Sequence, residues 1–134
     1  MVITAAVLCL FPPTLTDSTS ADITDNYEIT GGASATCSSL ADAFGRINLD
    51  SGTEFVITVK NGDDTNVSSF TLDADKNVTL TSADGSIFKL TVSSSVRHGS
   101  VSGNLTLKNI ILDGNGTAGG IEVKSGGSLT MNNG

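Results

Sequence analysis

Asn77-Val78-Thr79-Leu80-Thr81-Ser82, Asn104-Leu105-Thr106-Leu107-Lys108-Asn109 and Ser128-Leu129-Thr130-Met131-Asn132-Asn133 are three versions of one phrase. A polar residue leads, an apolar–Thr–apolar triad follows, and two polar positions close it, the second being Ser82, Asn109 or Asn133. The triad has period 2, so two apolar side chains leave one face of a short strand and a threonine leaves the other. Val78 and Leu105 are 27 residues apart, and Leu105 and Leu129 are 24 apart. A self-similar unit of that length marks a solenoid. Several glycines and two or three short strands per unit exclude helical repeats, and the longer Leu/Asn consensus of a leucine-rich repeat is absent. The expectation is all-β: a parallel β-helix whose coils stack about 4.8 Å apart.

That architecture assigns roles to residues. Val78, Leu105 and Leu129 are expected in one inward column, and Leu80, Leu107 and Met131 in another. Each buried side chain is worth roughly 1.5–3 kcal/mol. Thr79, Thr106 and Thr130 form an outward row, which suits β-branched residues on a pleated surface. Asn109 and Asn133 tolerate the left-handed backbone that sharp corners require. Gly114, Gly116, Gly119, Gly120, Gly126 and Gly127 supply other corners. Similar alternation in Val56-Ile57-Thr58-Val59, Phe70-Thr71-Leu72, Phe88-Lys89-Leu90 and Ile121-Glu122-Val123 extends the coils over 53–134.

Upstream, residues 22–52 read as an entry strand at Tyr27-Glu28-Ile29-Thr30, a break at Gly31-Gly32, and one helix over 38–47. Leu40, Phe44 and Ile47 share a helical face, and Ser39 with Asp42 resembles a capping box. A lone helix of about ten residues is unstable in water, so this one is expected to plug the first coil. The C-terminal rung, with Leu129 and Met131, is expected to be uncapped: a fragment of a longer solenoid, or a surface covered by another molecule.

Residues 1–21 read as a signal-like apolar leader and linker. The apolar run 1–11 is too short to span a bilayer, and Thr19-Ser20-Ala21 is a loose small-residue cleavage site. No Lys or Arg precedes Arg46, so the positive leader is missing, and a strand or short helix of the mature fold is the alternative for 1–11. Leu8 ahead of Cys9 argues against a lipoprotein anchor. With the leader removed, Cys37 is expected to be unpaired, a small half-buried apolar residue.

Composition agrees with this reading. Ser, Thr and Gly make up 49 of 134 residues, aromatics 4%, and Trp is absent. Mean hydropathy is +0.13, which argues against disorder. Seven Lys and Arg against fourteen Asp and Glu give a net charge of −7, which argues against nucleic acid and anionic lipid as partners. No membrane insertion of the mature domain is expected.

From about residue 27 the chain resembles the start of a secreted bacterial right-handed β-helix protein of the pectin-lyase-like superfamily. It is most similar to the repetitive adhesin-like surface proteins of gut bacteria. The likeness is carried by Lys76–Ser82, by Leu105-Thr106-Leu107-Lys108-Asn109-Ile110-Ile111-Leu112-Asp113-Gly114 and by Gly126–Gly134. It implies an extended stalk, exported or at the cell surface, contacting a glycan or a protein, and it supplies no catalytic residue.

Chemistry-bearing residues are few. Ile111-Leu112-Asp113-Gly114-Asn115-Gly116 is similar to a phrase of polygalacturonase-type hydrolases, but Thr117-Ala118-Gly119 replace the aromatics that follow there, and a turn capped by Asp and Asn is the favoured reading. Glycan hydrolysis needs two carboxylates facing one sugar, and no such pair stands on one strand face. Asp63, Asp64, Asp73, Asp75 and Asp113 are candidate calcium oxygens, though Asp-rich loops are usually just solvated. His98, the sole histidine, has no evident partner and is expected in a loop spanning Val92–Gly103. Sequons at Asn66, Asn77, Asn104 and Asn115 barely exceed chance.

No catalytic, cofactor-binding or metal-binding residue is therefore assigned, and no cofactor is expected. The expected function is a non-enzymatic structural or adhesion module, the N-terminal part of a cell-surface β-helix stalk. Two alternatives stand: the beginning of a polysaccharide lyase or glycoside hydrolase with active coils beyond residue 134, and a self-assembling module whose C-terminal rung is completed by another chain's strand, for which 1–11 would serve.

Overall fold

The computed structural model of the chain describes residues 7–8, 25–32, 34–93, 96–116 and 119–134. Cys9, Pro12-Pro13, the Thr19–Ala21 cleavage site and Thr117-Ala118 lie outside the described residues. The elements are β1 (Val7–Leu8), β2 (Tyr27–Thr30), β3 (Ala35–Cys37), α1 (Leu40–Leu49), β4 (Glu54–Val59), β5 (Asp64–Val67), β6 (Phe70–Leu72), β7 (Asn77–Ser82), β8 (Phe88–Val92), β9 (Gly99–Val101), β10 (Asn104–Lys108), β11 (Ile110–Asp113), β12 (Ile121–Val123) and β13 (Ser128–Asn132).

From β4 onward the strands enter three sheets in rotation. Strands β4, β7, β10 and β13 stack in parallel in a broad sheet, β5, β8 and β11 in a second, and β6, β9 and β12 in a third. Three coils and the first strand of a fourth result, a parallel β-solenoid. Inward columns follow the repeat: Val78, Leu105 and Leu129 are in register, as are Leu80, Leu107 and Met131. Thr79, Thr106 and Thr130 form the outward row.

The columns begin one coil earlier than the repeat phrases. Phe55 pairs with Val78 and Ile57 with Leu80. Val56, grouped above with Ile57 and Val59, pairs instead with Thr79 in the outward row and is 36% exposed. Glu54 and Thr58 fix the parity of β4: with Val56 they alternate with the buried Phe55, Ile57 and Val59.

Corners follow two different rules. Asn109 (φ 58°) and Asn133 (φ 57°) take the left-handed conformation. The equivalent Ser82 does not, and the turn after it uses Asp84 at φ 59°. Gly103 and Gly127 are required for space. A Cβ on Gly103 would press into the carbonyl oxygens of Lys76 and Asp73, and one on Gly127 into that of Val101. Asn104 N–H donates to Lys76 O (2.9 Å) and Ser128 N–H to Gly103 O (2.9 Å), so successive corners nest backbone on backbone.

The N-terminal end is closed by several devices. Helix α1 runs from Leu40 to Leu49, the expected ten residues displaced by two toward the C-terminus. Ser39 caps it, its Oγ accepting from Asp42 N–H at 3.1 Å. Leu40, Ala43, Phe44 and Ile47 are buried against the solenoid, and the Phe44 ring stacks on Phe70 of β6 at 4.1 Å between centroids. Gly99, next in the Phe70 column, leaves room for that ring. Asn48 covers the backbone edge of β6: its Nδ2 donates to Thr71 O at 2.8 Å, and its Oδ1 accepts from Asp73 N–H at 3.1 Å. In the broad sheet, β2 pairs antiparallel with β4, β3 antiparallel with β2, and β1 parallel with β3. The first turn of the stack is thus continued by a reversed strand, which ends the parallel series.

Lys76 joins this cap to the coils. It is 3% exposed, and its Nζ donates to Asp50 O (2.5 Å) and Gly52 O (2.7 Å), just past the C-terminus of α1. Asp75 is 3.5 Å from the ammonium, and the Phe55 ring 5.8 Å. A cation at the negative end of a helix dipole is favourable, and hydrogen bonds to a charged donor are among the stronger ones.

Cys37 departs from expectation. It is disulfide-bonded and 1% exposed, not an unpaired half-buried thiol. The sequence's only other cysteine is Cys9. The unpaired expectation is tied to removal of residues 1–11. Val7 pairs with Ala35 and Leu8 with Thr36, next to Cys37.

Two glycines of opposite character test the packing. Gly45 lies in α1, and no atom stands within 4 Å of the point a Cβ would occupy, so Gly45→Ala should stabilise the fold by roughly 0.5–1 kcal/mol. Gly103→Ala should destabilise it by about 1–3 kcal/mol, since backbone must move. Urea unfolding midpoints of the two variants, shifted in opposite directions, are the expected readout. Lys76→Met keeps the stem but removes the ammonium from two buried carbonyls, and should lower unfolding free energy by about 2–4 kcal/mol in the same assay.

Candidate functional site

The candidate residues of the sequence do not come together. Asp63 Oδ1 accepts from Lys89 N–H at 2.7 Å. Asp64 Oδ1 accepts from Asn66 N–H at 2.9 Å, while its Oδ2 accepts from the buried Tyr27 hydroxyl. Burial, and then the Asp64 carboxylate, hold the Tyr27 hydroxyl well above the usual phenol range. Asp75 faces Lys76, and Asp113 takes Asn115 N–H at 2.9 Å and Lys89 Nζ at 3.4 Å. The Asn115 N–H, more than Lys89, holds the Asp113 carboxyl below its usual value. Asn115 follows at φ 56° and Gly116 at φ 75°, a turn capped by Asp113. These carboxylates close turns and ties between coils. Among the described residues, no three His, Cys, Asp or Glu side chains are grouped to hold a metal.

His98 also departs from expectation. It is fully buried, immediately before β9, so the stretch read as a loop over Val92–Gly103 contains a strand at Gly99–Val101. Its Nε2 lies 2.8 Å from Leu90 O, and its Nδ1 is 3.1 Å from Gly120 N. The carbonyl can only accept and the amide only donate, which assigns the ring proton to Nε2. Its own backbone N–H donates to Gly120 O, and its carbonyl accepts from Phe70 N–H. One residue thus bridges all three coils. No sequence signal names Leu90 or Gly120 as partners, because the contacts exist only once coils stack.

Two surfaces remain. The first is the outward face of the broad sheet. At its start a row of side chains crosses four strands: Asn77 Nδ2 donates to Glu54 Oε2, Asn104 Nδ2 to Asn77 Oδ1, and Ser128 Oγ to Asn104 Oδ1 at 2.7 Å. Val56, Thr79 and Thr106 form the adjacent row. A groove of about 390 Å³ lies along these two rows and is bounded at one end by Gly31. Asn77, Thr79, Asn104 and Thr106 belong to the repeat phrases, yet the row itself is set by register.

The second surface is the C-terminal rung. Strands β11, β12 and β13 each end their sheets. Met131 is 53% and Val123 43% exposed, and Leu112, Ile121 and Leu129 are only partly buried. One coil below, Leu105, Leu107 and Val101 are at most 1% exposed. β13 carries no charged residue, so it lacks the protection that lone edge strands usually have.

Compared with protein-family models, curated proteins and solved structures, the chain matches none.

Replacing His98 with Leu should leave the Leu90 carbonyl and the Gly120 amide without partners. A loss of about 2–4 kcal/mol in urea unfolding is expected, against a much smaller loss for His98→Gln if the amide recovers one bond.

Proposed function

We propose that this chain is a non-enzymatic structural and adhesion module, the capped beginning of an exported β-solenoid stalk at a bacterial cell surface. The observation that carries the reading is the register of the coils, which repeats one short phrase along a single axis behind an end sealed by α1, Asn48 and the reversed strand β2. In a stack of that kind each coil touches only its neighbours, so it serves as a spacer whose outer faces are left for contact. The disulfide at Cys37 supports an oxidising compartment. The structural ties of Asp63, Asp64 and Asp113 and the structural role of His98 support a non-enzymatic reading, and the pectin-lyase-like, adhesin-like resemblance of the repeat phrases supports the stalk.

The test uses source cells. An antibody raised against the chain should label intact cells, and brief protease treatment should remove the label. Labelling only after lysis overturns the surface assignment. Release of reducing ends or unsaturated products from plant or bacterial polysaccharides by the purified chain overturns the non-enzymatic one.

A further inference from the structure

We propose that the groove on the outward face of the broad sheet binds a neutral glycan strand, laid along the Glu54–Asn77–Asn104 row. This supplies a ligand for the adhesive part of the function above and rests on that reading only there.

A carboxamide has two N–H donors and a carbonyl with two lone pairs. Glu54 can only accept, which orients the Asn77 amide toward it and, through Asn77, the Asn104 amide. Each of the two amides spends one N–H and one lone pair within the row. Each keeps one of both, repeated once per coil at about 4.8 Å. The hydroxyls of Thr79 and Thr106, donor and acceptor at once, stand in the adjacent row. Beside them the exposed Val56 offers an apolar patch. Polar groups that both give and take, next to a small apolar surface, match a sugar ring, whose hydroxyls do the same and whose C–H face is apolar.

Charge and topology narrow the class. Among the described residues, Glu54 is the one charged residue lining the groove, and neither Lys nor Arg lines it, so a polyanion is repelled. A peptide strand adds to a sheet edge, but the groove lies in mid-sheet, where β4, β7 and β10 are paired on both sides. The volume is in the range of small-molecule sites, enough for a short stretch of a longer polymer.

The test is native gel electrophoresis of the chain through gels holding hydroxyethyl cellulose, galactomannan or polygalacturonate. Retardation by at least one neutral polymer and none by polygalacturonate is expected. Thr79→Val with Thr106→Val keeps shape and β-propensity while removing two hydroxyls, and should weaken retardation roughly tenfold. Thr130→Val, in the same row beyond the groove, should leave it unchanged. Val56→Arg, at an exposed position, fills the groove and should weaken retardation independently of the threonine pair. Circular dichroism checks that each variant is folded. Retardation by polygalacturonate alone, by neither neutral polymer, or equally by wild type and the folded groove variants overturns the proposal. None of these outcomes bears on surface labelling of cells, so the two readings fail separately.

Discussion

Everything in this molecule depends on parallel coils stacking in register. Parallel strands hold neighbours at one spacing, so a side chain meets the same position of the coil above and below. Inward positions must then be apolar in every coil. Phe55, Val78, Leu105 and Leu129 satisfy this, as do Ile57, Leu80, Leu107 and Met131. Departures are local and compensated: Gly99 leaves space for the Phe70 ring, and Gly103 and Gly127 let corner backbone touch corner backbone. The same constraint makes the outer surface regular. A polar residue that leads one strand meets the polar residue leading the next, and a hydrogen-bonded row results from repetition alone.

Register also creates the problem of ends. A stack of open strands leaves donors, acceptors and apolar columns exposed at its last member. At the N-terminal side the chain answers each separately. Phe44 and Ile47 cover the apolar columns, Asn48 satisfies the edge of β6, and β2 occupies the edge of β4 in reversed sense. Lys76 ties the helix terminus to the first coil corner, so the cap and the solenoid share one buried network. No comparable set of contacts covers β11, β12 and β13 among the described residues.

The coils are legible in the sequence because register is written in composition. The threonine between two aliphatics fixes the parity of β7, β10 and β13, and Asn109 and Asn133 mark the corners after β10 and β13. The cap helix is legible from the spacing of Leu40, Phe44 and Ile47. What escapes has a common cause. His98 depends on Leu90 and Gly120, and Lys76 on Asp50 and Gly52, partners set by stacking and not by local pattern. Asn77 and Asn104 are visible as leading polar residues, but Glu54 joins their row only once the first coil is placed. The bonded state of Cys37 is not legible, because it turns on the fate of residues 1–11.

The reversed strand β2 has a consequence for how the chain acquires its structure. Because β2 and β3 lie close in sequence and α1 follows at once, the sealed end can form from short-range contacts at small loop-closure cost. A winding that follows it meets a template already in place, so the cost of closure favours assembly from the sealed end toward the later coils, the order in which the chain is synthesised.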